Sequence, residues 1–255
     1  MKKILFIKTL FLVSLFLIAR TGNSQPKFTI SIYGGYSVPL QDFKTAVTGD
    51  GTDSTLFPYY AKQGYNFGVL GKLGIGKKRN VKVTLGFNFN GFTNSVDLNN
   101  IYYPGNTVTF IPHVNIITIT GGGEYDFLPK GKINPFIGLD VTLNIWNGSF
   151  RFDNSGDTLP EYYPTKMKSE TRLGFQVGAG AEYSIGKDMG LVAGVKYNMA
   201  NLIGKSYTDP STLASTDVQL GDKANNGNPA RNISYLQIYG GFVFYLSPQN
   251  KTEKK

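Results

Sequence analysis

Apolar and polar residues alternate one by one in eight separate stretches of this chain, and this alternation constrains the fold more than any other feature. In the run VKVTLGFNFN, from Val81 to Asn90, every odd-numbered residue is apolar and every even-numbered residue is Lys, Thr, Gly or Asn. Successive side chains of a β-strand point to opposite faces, so such a run predicts a strand with one apolar face. The other seven runs lie near residues 28–38, 65–75, 117–127, 137–145, 173–185, 191–199 and 236–246.

The composition favours the same kind of structure. The 255 residues include 31 Gly, 18 Phe and 16 Tyr, whereas charged residues make up only 17%. Aromatic residues are enriched in strands, and soluble domains usually contain about 25% charged residues. We therefore expect strands rather than helices after the first two dozen residues.

The first 24 residues have the layout of a secretory signal peptide. A basic start, MKK, precedes an almost unbroken apolar run from Leu10 to Ala19, and the small residue Ser24 follows. A spanning helix needs about 20 apolar residues, and only eleven residues separate Lys8 from Arg20. The segment 1–24 is thus predicted to be cleaved after Ser24 during export.

Export changes what the charge implies. Loss of residues 1–24 removes four basic residues and no acidic one, which lowers the formal net charge from +9 to +5. This modest excess takes away the main support for nucleic-acid binding. The chain has no cysteine, which excludes disulfides, a lipid-modified N-terminal cysteine and thiolate metal sites.

The links between the eight runs alternate in length. The short links GKKRN, LPKGKIN and GKDMG are rich in Gly and Lys, whereas the four long links near 39–63, 93–112, 147–169 and 203–231 carry Asp, Asn, Thr, Pro and Tyr. Short turns at one end and long loops at the other are typical of membrane barrels with an even number of strands. The segment NTVTFIP, which lies in one of the long links, is also compatible with a further short strand.

Strand length favours a barrel that crosses a membrane over a soluble, lipocalin-like barrel. Tilted strands of about ten residues span a bilayer, and only a sheet without free edges survives in hydrocarbon. A soluble barrel would instead point its apolar face inward and a charged face outward, whereas the polar face here is mostly Gly, Thr, Asn and Ser. We predict aromatic girdles at the two membrane interfaces from Tyr36, Tyr65, Tyr125, Phe127, Tyr183 and Tyr245.

The predicted fold is therefore all-β, an eight-stranded antiparallel up-and-down transmembrane β-barrel. It has three short periplasmic turns and four long extracellular loops. The barrel domain is predicted to occupy residues 25–247, and residues 248–255 form a short basic periplasmic tail.

Three segments, YGGYSVPLQDFK, PFIGLDVTLNIW and ISYLQIYGGFVFYL, resemble the small outer-membrane β-barrel proteins of diderm bacteria, the OmpA-/OmpW-like and PorT-like barrel group. The resemblance covers roughly Lys27–Leu246. It implies location in the bacterial outer membrane and contact with outer-membrane lipid. The aromatic last strand is similar to the signal that the barrel-assembly machinery recognises in such proteins.

Motifs for chemistry are weak in this sequence. The stretch GKLGIGKK, starting at Gly71, nearly matches a nucleotide-binding loop, but a strand follows it and Lys78 replaces the Mg²⁺-binding hydroxyl. His113 is the only histidine, and zinc sites need three or four ligands. We therefore expect no enzyme, no catalytic residue, no cofactor, no metal, and no nucleotide or nucleic-acid partner.

Alternation places seven charged residues on the inner face of the barrel. An eight-stranded barrel is just wide enough for its own side chains, and buried charges must pair. Two interpretations stay open: a salt-bridged plug that locks the barrel, or a narrow polar or gated conduit. The predicted network consists of Lys72, Lys82, Glu124, Asp140, Arg172, Glu182 and Lys196.

Paired tyrosines next to proline occur in three of the four long links, in the segments FPYY, IYYP and PEYYP. Tyrosine offers large contact area at low entropic cost, which suits binding surfaces, and such pairs can equally pack the loops onto each other. The clusters are Tyr59, Tyr60, Tyr102, Tyr103, Tyr162 and Tyr163.

The leading functional hypothesis is a non-enzymatic outer-membrane barrel that stabilises the envelope or binds an extracellular or envelope protein through its long loops. The resemblance adds two alternatives, an OmpW-type porin for small or hydrophobic solutes and a PorT-like accessory role in protein secretion.

Overall fold

The computed structural model of this chain describes residues 28–44, 61–76, 79–99, 107–154, 166–206, 217–218, 220–224 and 230–246. The predicted signal peptide, the basic tail and the six loop tyrosines lie outside these residues. The described residues form β1 (Phe28–Leu40), α1 (Gln41–Lys44), β2 (Gln63–Ile75), β3 (Val81–Thr93), β4 (Val96–Asn99), β5 (Thr107–Asp126), β6 (Ile133–Asn154), β7 (Lys166–Ser184), β8 (Met189–Ile203), β9 (Asp217–Val218) and β10 (Ile233–Tyr245).

Eight of these strands close into a barrel. They pair antiparallel in the order β3, β2, β1, β10, β8, β7, β6, β5, and β5 pairs back onto β3 over thirteen residues. The first and last strands of the chain are neighbours, with Thr29 opposite Tyr245 and Leu40 opposite Ser234. The predicted eight-stranded, antiparallel, up-and-down barrel is therefore confirmed.

The two short strands lie beyond the wall of the barrel. Strand β4 pairs with the start of β5, and β9 forms a two-residue parallel pair with the start of β7. Both sit at the end of the barrel that carries the long links 41–62, 94–106, 155–165 and 204–232, which we name the loop end. The opposite end carries the short links 76–80, 127–132 and 185–188, and we name it the turn end.

Parts of the predicted loops are strand in the structure. Strand β5 begins at Thr107, within the segment NTVTFIP, while β6 continues to Asn154 and β7 begins at Lys166. The physical reason is that β5 and β6 keep pairing as far as Val108 opposite Asn154, so the backbone ladder continues beyond the segments with regular apolar alternation. Hydropathy alternation marks the lipid-facing stretch of a strand and does not mark where its pairing ends.

The apolar face of the sheet points outward, as the alternation predicts. Along β2, Phe67 and Val69 are 54% and 44% exposed, whereas Asn66 and Lys72, on the opposite face of the strand, are 3% and 1% exposed. A soluble barrel would show the opposite arrangement. The outward surface therefore suits contact with lipid hydrocarbon.

Most of the predicted girdle residues are exposed near the ends of the wall. Tyr36 and Tyr65 lie opposite each other towards the loop end, and Tyr125 and Tyr183 lie near the turn end. The prediction for Tyr245 is wrong, because its register partner is the inward-facing Thr29 and its hydroxyl lies 3.2 Å from Ser184 Oγ. An aromatic residue near a strand end is therefore not always part of a girdle.

A single helical turn, α1, follows β1, although no helix is expected from the sequence. It places Phe43 in a fully buried position at the mouth of the barrel. Among the described residues, no helix has the length and apolar character needed to cross a membrane.

Inward-facing glycines make room for large side chains from neighbouring strands. A Cβ atom on Gly68 would lie 2.7 Å from the Tyr33 ring, and one on Gly194 would lie 2.7 Å from the Tyr239 hydroxyl. A Cβ on Gly122 would lie 2.2 Å from the carbonyl oxygen of Leu139, where only backbone movement relieves the contact. These glycines therefore allow a narrow barrel to contain aromatic residues.

We predict that Gly122→Ala lowers the folded fraction of the barrel, because its methyl group collides with backbone of β6. Overpacking of this kind costs about 1–3 kcal/mol. The measurement is the folded fraction after refolding into lipid vesicles, read from the heat-dependent mobility of the barrel on gels. Gly121→Ala is the matched control, since its Cβ meets nothing within 4 Å. Equal folding of the two variants contradicts the prediction.

Candidate functional site

All seven charged residues assigned to the interior by alternation have buried side chains in the structure. None is more than 8% exposed. They do not form one network, however, and the structure divides them among three levels between the turn end and the loop end. The levels hold, in that order, Lys72, Lys82, Glu124 and Glu182; then Asp140 and Lys196; and then Arg172.

The first level is a cluster of ion pairs near the turn end. Lys72 Nζ donates to Glu124 Oε1 and to Glu182 Oε1, both at 2.7 Å. Lys82 Nζ lies 2.6 Å from Asp126 Oδ2 and also 3.6 Å from Glu124 Oε1. We call these five residues the turn-end cluster. Its two lysines and three carboxylates, contributed by β2, β3, β5 and β7, tie together strands that are not all neighbours.

The second level combines charge with aromatic rings. Lys196 Nζ donates to the Tyr33 hydroxyl at 3.0 Å and lies 4.3 Å and 4.9 Å from the ring centroids of Tyr33 and Tyr239. Asp140 accepts hydrogen bonds from Thr84 and from Gln176, the latter at 3.0 Å. Cations are attracted to the faces of aromatic rings, so the two tyrosines stabilise the lysine while filling the middle of the barrel.

An amide-rich layer lies next to the aromatic level. Asn90 Oδ1 accepts hydrogen bonds from Ser37 at 2.9 Å and from Gln237 at 2.7 Å. Asn66 donates to Ser37 at 3.1 Å, and Asn198 donates to Gln237 at 3.0 Å. These bonds join β1, β2, β3, β8 and β10 across the interior. Buried polar groups of this kind are costly unless paired, so the layer specifies one arrangement of the strands.

The third level is an ion pair that holds a long loop inside the barrel mouth. Asp222 is fully buried and accepts from Arg172 Nε at 3.0 Å, from Asn201 Nδ2 at 2.9 Å and from the Ser206 backbone N–H at 2.9 Å. Arg172 also pairs with Glu170. The link between β8 and β10 is thereby anchored to the inner wall.

An aromatic plug closes the interior at the loop end. Phe43 of α1 contacts Phe92, Trp146 and Tyr235, with ring centroids 4.7 Å, 5.8 Å and 6.4 Å apart. Helix α1 is held in place because the Asn232 N–H donates to Asp42 Oδ2 at 2.7 Å. The plug is therefore attached to two of the long links.

A small cavity lies in the middle of the described interior. A cavity of about 20 Å³ lies between Leu70, Glu124, Phe136, Asp140 and Lys196. A buried water molecule needs at least about 10–15 Å³ of such space, so this cavity has room for about one. The interior consequently consists of packed side chains at this level.

Several residues that complete these clusters are not among the predicted lumen charges. Asp126 continues the alternation of Glu124 on the polar face of the strand, so the pattern contains the signal for it. Glu170 and Asp222 lie at or beyond the edges of predicted strands, where alternation does not indicate whether a side chain faces the lumen. Tyr33 is apolar in character yet faces inward, opposite Gly68.

The only histidine of the sequence is on the outer surface of β5. His113 is exposed and lies in register with Thr93 and Ser149 on the adjacent strands. Within the described part of the chain, no group of three or more His, Cys, Asp or Glu residues is arranged to hold a metal ion.

A closed antiparallel barrel with an apolar exterior and a packed polar interior defines an integral outer-membrane β-barrel. The chain belongs to the family described as the outer membrane protein beta-barrel domain, whose model matches residues 9–225. The protein is accordingly an integral protein of the bacterial outer membrane. A search of curated proteins gives no match to the sequence.

Several solved outer-membrane barrels are similar in structure. Neisserial surface protein A is 14% identical with a TM-score of 0.44, covering 89% of this chain and 100% of that chain. OprG from Pseudomonas aeruginosa is 14% identical with a TM-score of 0.46, covering 86% and 97%. A major outer membrane protein from Thermus thermophilus is 15% identical with a TM-score of 0.45, covering 85% and 98%.

We predict that Lys72→Met destabilises the barrel by about 3–5 kcal/mol, because it leaves Glu124 and Glu182 buried without their closest cation. The measurement is the free energy of unfolding in urea with the protein in lipid vesicles, followed by the fluorescence of the single tryptophan, Trp146.

The matched control is the triple variant Lys72→Met, Glu124→Gln, Glu182→Gln. It leaves Lys82 paired with Asp126, so the remaining charges of the turn-end cluster balance. We expect the triple variant to recover much of the lost stability. A triple variant less stable than Lys72→Met shows that unpaired charge is not the cause.

Proposed function

We propose that this protein is a non-enzymatic outer-membrane barrel with a closed interior, which acts through its long loops. In this role the barrel is a rigid support in the membrane. The loops bind an extracellular or envelope protein, or stabilise the envelope by contacts with its other components.

The observation that carries this proposal is the filling of the interior at successive levels. The turn-end cluster, the pair of Tyr33 and Tyr239 around Lys196, and the plug around Phe43 each occupy the cross-section with packed side chains. A protein built to pass solutes needs a continuous channel, whereas a support for surface loops benefits from a rigid, filled barrel. The packing therefore supports the second role.

The absence of a catalytic role is part of the proposal. Candidate nucleophiles in the interior, such as Thr84 and Thr118, bond to Asp140 and Asn144. A reacting hydroxyl needs room for its substrate, whereas the cavity that borders Thr84 and Asp140 measures about 20 Å³, which is room for about one water molecule. These contacts favour a structural role for the interior hydroxyl groups.

Passage of small solutes is a second candidate, and amide groups without a partner in the interior favour it. Buried polar atoms of Asn88, Gln176 and Asn198 have no hydrogen-bond partner within the protein. Water molecules satisfy such groups elsewhere in proteins, so a file of water through the interior is the physical form that this candidate takes.

We expect the wild-type protein to be nearly silent in planar lipid bilayers, because aromatic side chains fill the middle of the barrel. The double variant Tyr33→Ala, Tyr239→Ala removes two of these rings and is expected to show steady single-channel openings.

The control for the conductance experiment is the double variant Tyr125→Ala, Tyr183→Ala. It removes the same number of rings from the lipid-facing surface and is expected to remain silent. Steady openings of the wild-type protein overturn the closed interior and favour the solute-passage candidate.

The loop role has its own test. The long links carry the paired tyrosines Tyr59, Tyr60, Tyr102, Tyr103, Tyr162 and Tyr163 in their sequence. Changing these six residues to Ser is expected to abolish the capture of a partner by cross-linking in intact cells, while the folded fraction on gels stays unchanged. Capture that is equally efficient after the substitution contradicts binding through these residues.

A further inference from the structure

The charges of this protein are distributed unequally between the two ends of the barrel. The three links at the turn end together contain six basic residues and one acidic residue, a net charge of +5. The four links at the loop end contain five basic and nine acidic residues, a net charge of −4. The turn-end basic residues are Lys77, Lys78, Arg79, Lys130, Lys132 and Lys187.

The described lysines of these turns face the surroundings of the barrel. Lys130, Lys132 and Lys187 are exposed. Asp188 is the acidic residue of the three short links. Among the residues that the structure describes, the other carboxylates near this end belong to the turn-end cluster, where Lys72 and Lys82 pair with them inside the barrel. The exposed amines of Lys130, Lys132 and Lys187 therefore lie outside the ion pairs of the turn-end cluster.

The same lysines lie next to the border of the lipid-facing surface. Lys132 Nζ lies 5.3 Å from the ring centroid of Tyr183, an outward-facing residue that is 40% exposed. Phe127 begins the link that carries Lys130 and Lys132, Ile133 follows it, and both are more than half exposed. Aromatic residues at the end of an apolar band mark the depth of the lipid head groups. The amines are thus held at the level where lipid phosphates lie.

We propose that the turn end is a binding surface for anionic phospholipid head groups of the leaflet that faces the short turns. Three basic links around one rim offer several amines to a phosphate, and the apolar wall below holds the acyl chains. Basic residues near an anionic membrane surface attract its head groups, and the attraction is screened by salt.

The experiment uses the mature full chain reconstituted in vesicles of zwitterionic phosphatidylcholine. Trace amounts of spin-labelled phosphatidylglycerol or phosphatidylcholine are added, and electron spin resonance measures the fraction of each probe at the protein surface. We expect the wild-type protein to prefer phosphatidylglycerol at low ionic strength and to lose most of this preference in about 1 M salt, where the Debye length is about 3 Å.

The test variant is Lys130→Gln, Lys132→Gln, Lys187→Gln. We expect it to lose most of the wild-type preference for phosphatidylglycerol, because it removes three exposed turn-end cations that attract anionic head groups. The matched control, Lys62→Gln, Lys166→Gln, Lys168→Gln, removes the same charge from exposed positions at the loop end. It is expected to keep the wild-type preference.

When the variants fold, three outcomes overturn the proposal. The first is a turn-end variant with the wild-type preference, and the second is an equal loss in both variants, which reports net charge alone. The third concerns another partner. In it, the wild-type protein shows no preference for phosphatidylglycerol but binds isolated peptidoglycan, and the turn-end variant does not bind peptidoglycan. Folding of each variant is checked by its heat-dependent mobility on gels. If the variants do not fold, the wild-type protein alone tests the proposal, and a lipid preference that does not change with salt contradicts it.

Discussion

The closed ladder of backbone hydrogen bonds is the interaction on which the rest of this structure depends. In hydrocarbon, an unpaired N–H or C=O has no water to replace its partner, so a spanning sheet must have no edge. The pairing of β3 with β5 joins the two ends of the strand order and satisfies that requirement. Closure with only eight strands then leaves an interior so narrow that its own side chains must fill it.

The narrow interior explains why polar residues and glycine dominate the inward face. Charged groups placed there need partners because they are removed from water, and Lys72 lies at 2.7 Å from two carboxylates. Bulky residues such as Tyr33 need space, which Gly68 supplies on the adjacent strand. Charge pairing and glycine placement are thus two consequences of the same geometry, and together they fill the described interior with side chains.

The fold was largely predictable from the sequence, and the interior only in part. Strict alternation identified the inward direction of the seven predicted lumen charges, including Lys82 and Glu182, because side-chain direction in a strand has a period of two. The same argument gave no direction to Asp222, which lies in a long link, or to Phe43, which a helical turn carries into the barrel mouth. The sequence also did not indicate which lumen side chains pair with each other, because the residues that meet across a barrel come from strands far apart in sequence.

The sequence by itself determined the strands, their lipid-facing side, the two kinds of link and the unequal charge at the two ends. These features depend on local order along the chain, namely period-two alternation and the composition of the links. Only the tertiary structure decided which charges pair, which aromatic rings fill the lumen and how α1 and Asp222 close its mouth. Those contacts arise when closure brings opposite walls within side-chain reach, and no local pattern in the sequence records that distance.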